Sequence, residues 1–159
     1  MLHACDGVSI CAISHFWLTP AHPAGSGPDF CNAAAVLRAD LDPPALLALL
    51  HDTEARLDRR RDGGRWSART VDLDLIGWDG LVLPDAETQD RWRALPPDRQ
   101  VAETPAELIL PHPRMQDRGF VLAPLAEVAP QWRHPRLDLT VAQMLAALPR
   151  AALDGMVRA

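Results

Sequence analysis

Along residues 71 to 76, V-D-L-D-L-I, apolar and acidic side chains alternate. That is the period of a strand with two faces. The pattern predicts a strand with Asp72 and Asp74 on one side and Val71, Leu73 and Leu75 on the other. Trp78-Asp79-Gly80 predicts a turn and Leu81-Val82-Leu83 a short partner strand, together a hairpin. Upstream, residues 7–18 (G-V-S-I-C-A-I-S-H-F-W-L) and 29–40 (D-F-C-N-A-A-A-V-L-R-A-D) each predict a strand. Between them Pro20, Pro23, Pro28, Gly25 and Gly27 require a loop. Asp42-Pro43-Pro44 then starts a helix, with Asp as the cap and Pro in the first turn. Leu46, Leu47, Leu50 and Leu57 give that helix an apolar face and carry it to about Arg61, where Asp62-Gly63-Gly64 stops it.

The second half is more broken. Residues 84 to 107 are polar, hold four prolines and predict one or two short helices. The stretch is long for a hairpin connection and is expected to be an insertion, at about residues 84–106. Residues 108–113 are short and extended. A short helix near Arg114–Arg118, an apolar run from Phe120 to Leu125 and a final helix near Thr140–Leu148 follow. No repeat and no second domain is visible, so residues 1–159 are expected to form one domain. Hairpins mixed with a long helix predict an α+β fold with a largely antiparallel sheet.

Composition changes this picture little. The 159 residues carry a net charge of −5 with 48% hydrophobic and 23% charged residues, ordinary for a globular chain. The net negative charge argues against a general nucleic-acid or membrane-surface binder. No apolar run is long enough to span a bilayer, and the first residues have no basic-then-apolar leader. Three cysteines with no C-x-x-C pair fit thiols in a reducing compartment, so a cytoplasmic protein is expected. All sixteen basic side chains are Arg and there is no Lys. Phosphate would therefore be met by guanidinium forks rather than by a lysine ammonium.

That matters beside the alternating segment. Asp72 and Asp74, at i and i+2, would lie roughly 6.5–7 Å apart along a strand, close enough to converge on two divalent ions. Hard oxygen ligands without a nearby Cys or His pair favour Mg²⁺ over zinc. Arg56, Arg59, Arg60, Arg61, Arg65 and Arg69 put six guanidiniums within fourteen residues. Part of that run could be a solvated helix face. Carboxylates beside clustered arginines also make the layout of a phosphoryl-transfer site. No G-x-x-x-x-G-K-[ST] loop is present.

The same residues carry a resemblance. R-W-S-A-R-T-V-D-L-D-L, residues 65 to 75, resembles the R-W-G-P-R-T-[LIV]-D-[LI]-D-[LI] signature of the 6-hydroxymethyl-7,8-dihydropterin pyrophosphokinases of folate biosynthesis. S-H-F-W-L-T-P, P-D-F-C-N-A-A and L-P-H-P-R-M-Q-D-R-G-F-V-L-A-P-L-A-E-V-A-P resemble three further segments of that family, in the family's order. Ala68 stands where Pro is usual and Trp17 where Tyr is. The resemblance implies a ferredoxin-like α/β sandwich, mainly antiparallel. It implies transfer of pyrophosphate from ATP to 6-hydroxymethyl-7,8-dihydropterin with release of AMP. It places two Mg²⁺ on Asp72 and Asp74 and gives Arg69, Asp72 and Asp74 the catalytic roles. ATP would meet Glu54, Arg61, Trp66, Arg69, Leu75, His112 and Arg118. The pterin would meet Thr19, Pro20, Phe30, Asn32, Asp74 and Phe120, stacked between the two Phe rings. Those roles make chemical sense: a flat heteroaromatic ring wants stacking, and its amide-like edge wants paired donors and acceptors.

Each residue also has an ordinary alternative. Phe30 and Phe120 could be core, Asn32 a turn cap, His112 a rigid-loop surface residue, and Arg118 a partner of Asp117 or Glu127. Family members open with a strand ending in G-S-N-L-G and a helix of roughly four turns, about twenty residues together. This sequence opens after them, so a longer natural chain is expected. The competing reading is a truncated, non-catalytic relative that binds nucleotide or a protein partner through residues 84–107. A third, an unrelated Mg²⁺-dependent transferase, requires the Phe30, Asn32 and Phe120 matches to be chance.

Overall fold

The computed structural model describes residues 7–20, 28–58 and 71–159. Its elements are β1 (Val8–Ile13), β2 (Trp17–Thr19), β3 (Phe30–Asn32), β4 (Ala35–Ala39), α1 (Pro43–Asp58), α2 (Ala86–Arg93), α3 (Pro97–Ala102), α4 (Gly119–Val128), β5 (Arg133–His134), β6 (Leu139–Thr140), α5 (Val141–Ala147) and β7 (Val157–Arg158). One-turn 3₁₀ segments precede α4 and β7. Helices alternate with short antiparallel pairs, an α+β fold. The chain divides into two compact units, Met1–Ile10 with Leu37–Leu75, and Cys11–Val36 with Ile76–Ala159.

In the first unit, α1 begins as its sequence dictates. Asp42 Oδ1 accepts the Ala45 N–H at 2.8 Å, satisfying one of the free donors of the first turn. Leu46, Leu50 and Thr53 form its buried face, spaced as a helical stripe requires. Thr53 returns its hydroxyl to the Leu49 carbonyl at 2.8 Å. Val71–Leu75 forms no strand ladder among the described residues. The predicted strand over 71–76 is thus corrected. The alternation is real, with Asp72 and Asp74 exposed and Val71, Leu73 and Leu75 half-buried. The Leu73 N–H, however, goes to Glu54 Oε1 at 2.5 Å rather than to a neighbouring strand.

Each long predicted strand is split in two, and β2 and β3, the later half of one and the earlier half of the other, lie wholly in the second unit. Ser14 breaks the first: its N–H donates to the Ala34 carbonyl at 2.8 Å, and its Oγ accepts the Ala34 N–H at 2.9 Å. A side-chain oxygen thus takes a carbonyl's place in the ladder. From there to the Trp17–Asn32 pair is three residues on one strand and two on the other, a β-bulge. β1 pairs with β4, and a separate three-stranded sheet runs β3-β2-β7. Its register sets Thr19 opposite Phe30 and Trp17 opposite both Asn32 and Arg158.

The predicted hairpin between 71–76 and 81–83 does not form either. The Trp78-Asp79-Gly80 turn does: the Leu81 N–H reaches the Trp78 carbonyl at 2.8 Å, with Asp79 at φ 44. Leu83 then exchanges both main-chain bonds with Leu110, at 2.9 and 3.1 Å. Leu110 is fully buried, so this bridge is anchored in the apolar interior. Between these ends lie α2 and α3, the two short helices expected for 84–107. Asp85 caps α2 by accepting the Thr88 N–H.

The core of this unit is Met115, Leu122, Val141 and Met144, with Ile76, Leu125, Trp132 and Leu148 packed on it. It explains why 120–125 is helical: Leu122 and Leu125 turn inward at i, i+3. α5 carries a full capping box of Thr140 and Gln143.

A buried histidine gives this unit a pH dependence. His134 is fully buried, and its Nδ1 accepts the Arg136 and Leu137 N–H groups at 3.1 and 3.2 Å. Burial, then the charge of Arg93, push its pKa down to about 4. The folded value lies below the unfolded one, so the unfolded chain binds more protons as pH falls from about 6.5 toward 4. Stability is full above that window and lost on descending through it. The expected loss is about 2 kcal/mol between pH 7 and pH 5. His134→Asn, whose Oδ1 can accept the same two N–H groups, should flatten the pH dependence of the thermal midpoint; an unchanged slope would refute the assignment. Asp90 titrates lower still, because Arg136 and then Arg93 hydrogen-bond its carboxylate and hold it well below the usual range.

Candidate active site

The expected site residues fall in both units. In the second, β2 and β3 place Thr19, Phe30 and Asn32 on one sheet face, since cross-strand partners share a side. Thr19 is buried, and the Asn32 Nδ2 donates to its Oγ1 at 2.7 Å. That bond fixes the Asn32 plane. The other amide hydrogen and Oδ1 have no partner among the described residues. They form an edge able to donate and accept at once. Phe30 is 60% exposed and Phe120, in the first turn of α4, 39% exposed. Neither ring belongs to the buried core, so both aromatic faces are accessible to a flat ligand. α4 packs against both β2 and β3. The Arg118 guanidinium lies over the Phe120 ring, 5.5 Å from its centroid, a cation–π contact. Pro20 closes β2 just before the residues outside the description.

His112 is held between buried Pro111 and Pro113. Its main-chain N–H donates to the Ile76 carbonyl at 2.8 Å, and its Nδ1 accepts the Arg114 N–H at 3.1 Å. With Nδ1 accepting, a neutral ring carries its proton on Nε2. In the first unit, Glu54 grips Leu73, the residue between the two aspartates. Leu75 is half-buried behind them. Arg61, Trp66 and Arg69, with the rest of the arginine run from Arg59, lie outside the described residues. Among the described residues, no group of three or more His, Cys, Asp or Glu side chains is gathered as a metal cluster. Asp72 and Asp74, both exposed and alternating with half-buried residues, carry hard carboxylate oxygens. Such oxygens suit Mg²⁺ with phosphate and water completing its shell.

Sequence reasoning missed one polar centre. Glu127 of α4 takes N–H groups from His15 and Trp17. The strand β7, which brings Arg158 to the same place, was also missed. These partners are 110 or more residues apart in sequence, and no local pattern signals such a contact.

The fold is α+β; one unit exposes Phe30, Phe120 and the Asn32 amide, and the other exposes Asp72 and Asp74. The chain belongs to the 7,8-dihydro-6-hydroxymethylpterin-pyrophosphokinase family, whose model matches residues 1–130. It is similar to the 2-amino-4-hydroxy-6-hydroxymethyldihydropteridine pyrophosphokinase of Synechocystis, 40% identical over 118 residues, covering 74% of this chain and 50% of that one. The protein of that name from Bacillus subtilis is 34% identical over 131 residues, 82% of this chain and 66% of that one. The one from Pseudomonas aeruginosa is 34% identical over 146 residues, 90% and 75%. The chain thus spans from half to three quarters of these relatives' lengths. No helix among the described residues is long and apolar enough to cross a membrane.

Proposed function

We propose that the chain, as one pyrophosphokinase domain with residues 84–106 as an added segment, acts in the cytoplasm in tetrahydrofolate biosynthesis. It transfers pyrophosphate from ATP to 6-hydroxymethyl-7,8-dihydropterin. The pterin hydroxyl oxygen bonds to the β-phosphorus of ATP and loses its proton. The bond from that phosphorus to the α-bridging oxygen breaks, and AMP leaves with the bridging oxygen. The observation that carries this reading is the platform: two exposed Phe rings and an Asn32 edge pinned to Thr19, in a chain of this family.

The residues divide the work. Phe30 and Phe120 stack on the pterin, while Thr19, Pro20 and Asn32 read its edge and fix where the hydroxymethyl points. Glu54, Arg61, Trp66, Arg69, Leu75, His112 and Arg118 hold ATP, the guanidiniums taking its phosphate oxygens. Asp72 and Asp74 would hold two Mg²⁺. When bound, these ions neutralise charge on the phosphate oxygens. Arg69 adds a fixed positive charge where negative charge grows in transfer. ATP and the pterin are the partners; neither nucleic acid nor membrane is.

The test is AMP release followed by chromatography. AMP is expected only when ATP, Mg²⁺ and the pterin are all present. A chain that binds ATP by calorimetry yet releases no AMP would replace this reading with the non-catalytic nucleotide binder.

A further inference from the structure

One carboxylate ties together the two elements that carry the pterin platform. Glu127 sits in the last turn of α4, seven residues after Phe120 on the same helix. Seven residues are close to two full turns, so both side chains leave the same side of α4. Glu127 Oε2 accepts the main-chain N–H of His15 at 2.9 Å and lies 2.9 Å from His15 Nδ1. Oε1 accepts the Trp17 indole N–H at 3.2 Å. An ionised carboxylate only accepts, so Nδ1 carries the imidazole proton. One Arg158 guanidinium nitrogen, on β7, lies 2.7 Å from Nδ1 and 2.8 Å from Nε2, and with the proton on Nδ1 it is Nε2 that can accept. The Arg158 Nε also lies 3.7 Å from Oε1. The His15 main-chain bond, then its side chain, hold the Glu127 carboxyl below its ordinary range. The group is therefore an anion across the neutral range.

What this centre holds is specific. Trp17 precedes Thr19 by two residues on β2, on the same sheet face, and stands opposite Asn32. Glu127 therefore fixes α4, with Phe120, against the strand that presents Thr19 and its bonded Asn32. We propose that Glu127 is a positioning residue for the pterin. It sets the distance between the Phe120 ring and the Thr19–Asn32 edge without touching the ligand. This inference rests on the proposed function, since the platform is read there as a pterin site.

The test separates pterin affinity from nucleotide affinity. 6-Hydroxymethylpterin is titrated by its fluorescence in the presence of Mg²⁺ and α,β-methylene-ATP, and the nucleotide analogue is titrated alone by calorimetry. Glu127→Ala is expected to weaken pterin binding about tenfold, the scale of losing hydrogen bonds to a charged acceptor. Nucleotide affinity should stay within about twofold. Glu127→Gln can accept on one side only and turns its NH₂ toward a donor on the other. It should lose about threefold, as should Trp17→Phe, which removes a single N–H. If Glu127→Ala does not fold, the Gln and Phe variants carry the same comparison. Pterin affinity unchanged in these variants, or pterin and nucleotide affinity falling together, would overturn the positioning role. A wild-type chain that binds the nucleotide analogue but no pterin would overturn the proposed function itself, and this inference with it.

Discussion

Asp74→Ala is expected to lower AMP release by about 10³-fold or more, the scale seen when a principal electrostatic element of a phosphoryl-transfer site is lost. The segment around it explains why folding should survive. Asp74 is exposed, while Val71, Leu73 and Leu75 point the other way and are half-buried. The main chain is held at Leu73 by Glu54. An exposed carboxylate removed from such a frame moves stability little. The thermal midpoint should stay close to wild type, and ATP should still bind in the absence of Mg²⁺. Asp74→Asn, which keeps the shape and loses the charge, should fall nearly as far as Ala. Near-normal turnover in either variant would remove Asp74 from the catalytic set. Glu54→Gln is a useful contrast, since Gln can still accept the Leu73 N–H; a moderate loss there with a severe loss at Asp74 separates support from chemistry.

How far the sequence could be read depended on the range of the interaction. Local chemistry was legible. Asp42 caps α1, Trp78-Asp79-Gly80 turns, and Thr140 opens α5, because each is settled within three or four residues. The α+β class followed from the same signals. Strand partners were not legible. V-D-L-D-L-I has the right alternation, yet a side chain on α1 satisfies its central N–H. Periodicity reports which side chains are buried and says nothing about who takes the backbone hydrogen bonds. Leu83 bonds with Leu110 for the same reason. The bulge at Ser14 is a side-chain oxygen substituting for a carbonyl, and no alternation pattern encodes that substitution.

The candidate site divides along the same line. Motif matching picked out Thr19, Phe30, Asn32 and Phe120 one by one. The sequence offered core packing as an equal account of both Phe rings, and only their exposure speaks against it. Glu127 had no such cue. The sequence offered it only as one of two acidic partners for Arg118, the other being Asp117, whereas the structure turns it toward His15 and Trp17, more than a hundred residues upstream. The Arg118 guanidinium lies over the Phe120 ring.

Gly119→Ala should destabilise the second unit by about 3 kcal/mol or more, the largest stability effect of a single methyl group expected here. Helix propensity alone predicts the opposite, since Gly to Ala inside a helix is worth up to about 1 kcal/mol. Gly119 opens α4, and its buried backbone runs against the 3₁₀ turn of Arg150–Leu153. A methyl group there would lie 2.1 Å from the Ala152 carbonyl oxygen and 2.8 Å from Leu153 Cδ2. The leucine can rotate away, but the carbonyl is main chain. Relief requires α4 or the Arg150–Leu153 turn to move. That turn leads into β7, which pairs with β2, so either movement disturbs the arrangement that Arg158, His15 and Glu127 share. Loss of stability should therefore come with weaker pterin binding at temperatures where the variant is still folded. Denaturant unfolding gives the first quantity and pterin fluorescence titration the second. A Gly119→Ala chain as stable as wild type would mean that α4 and the 150–153 turn are not packed this closely. A chain less stable but with unchanged pterin affinity would mean that the platform tolerates movement of α4, contrary to the tight coupling that the Glu127 contacts imply.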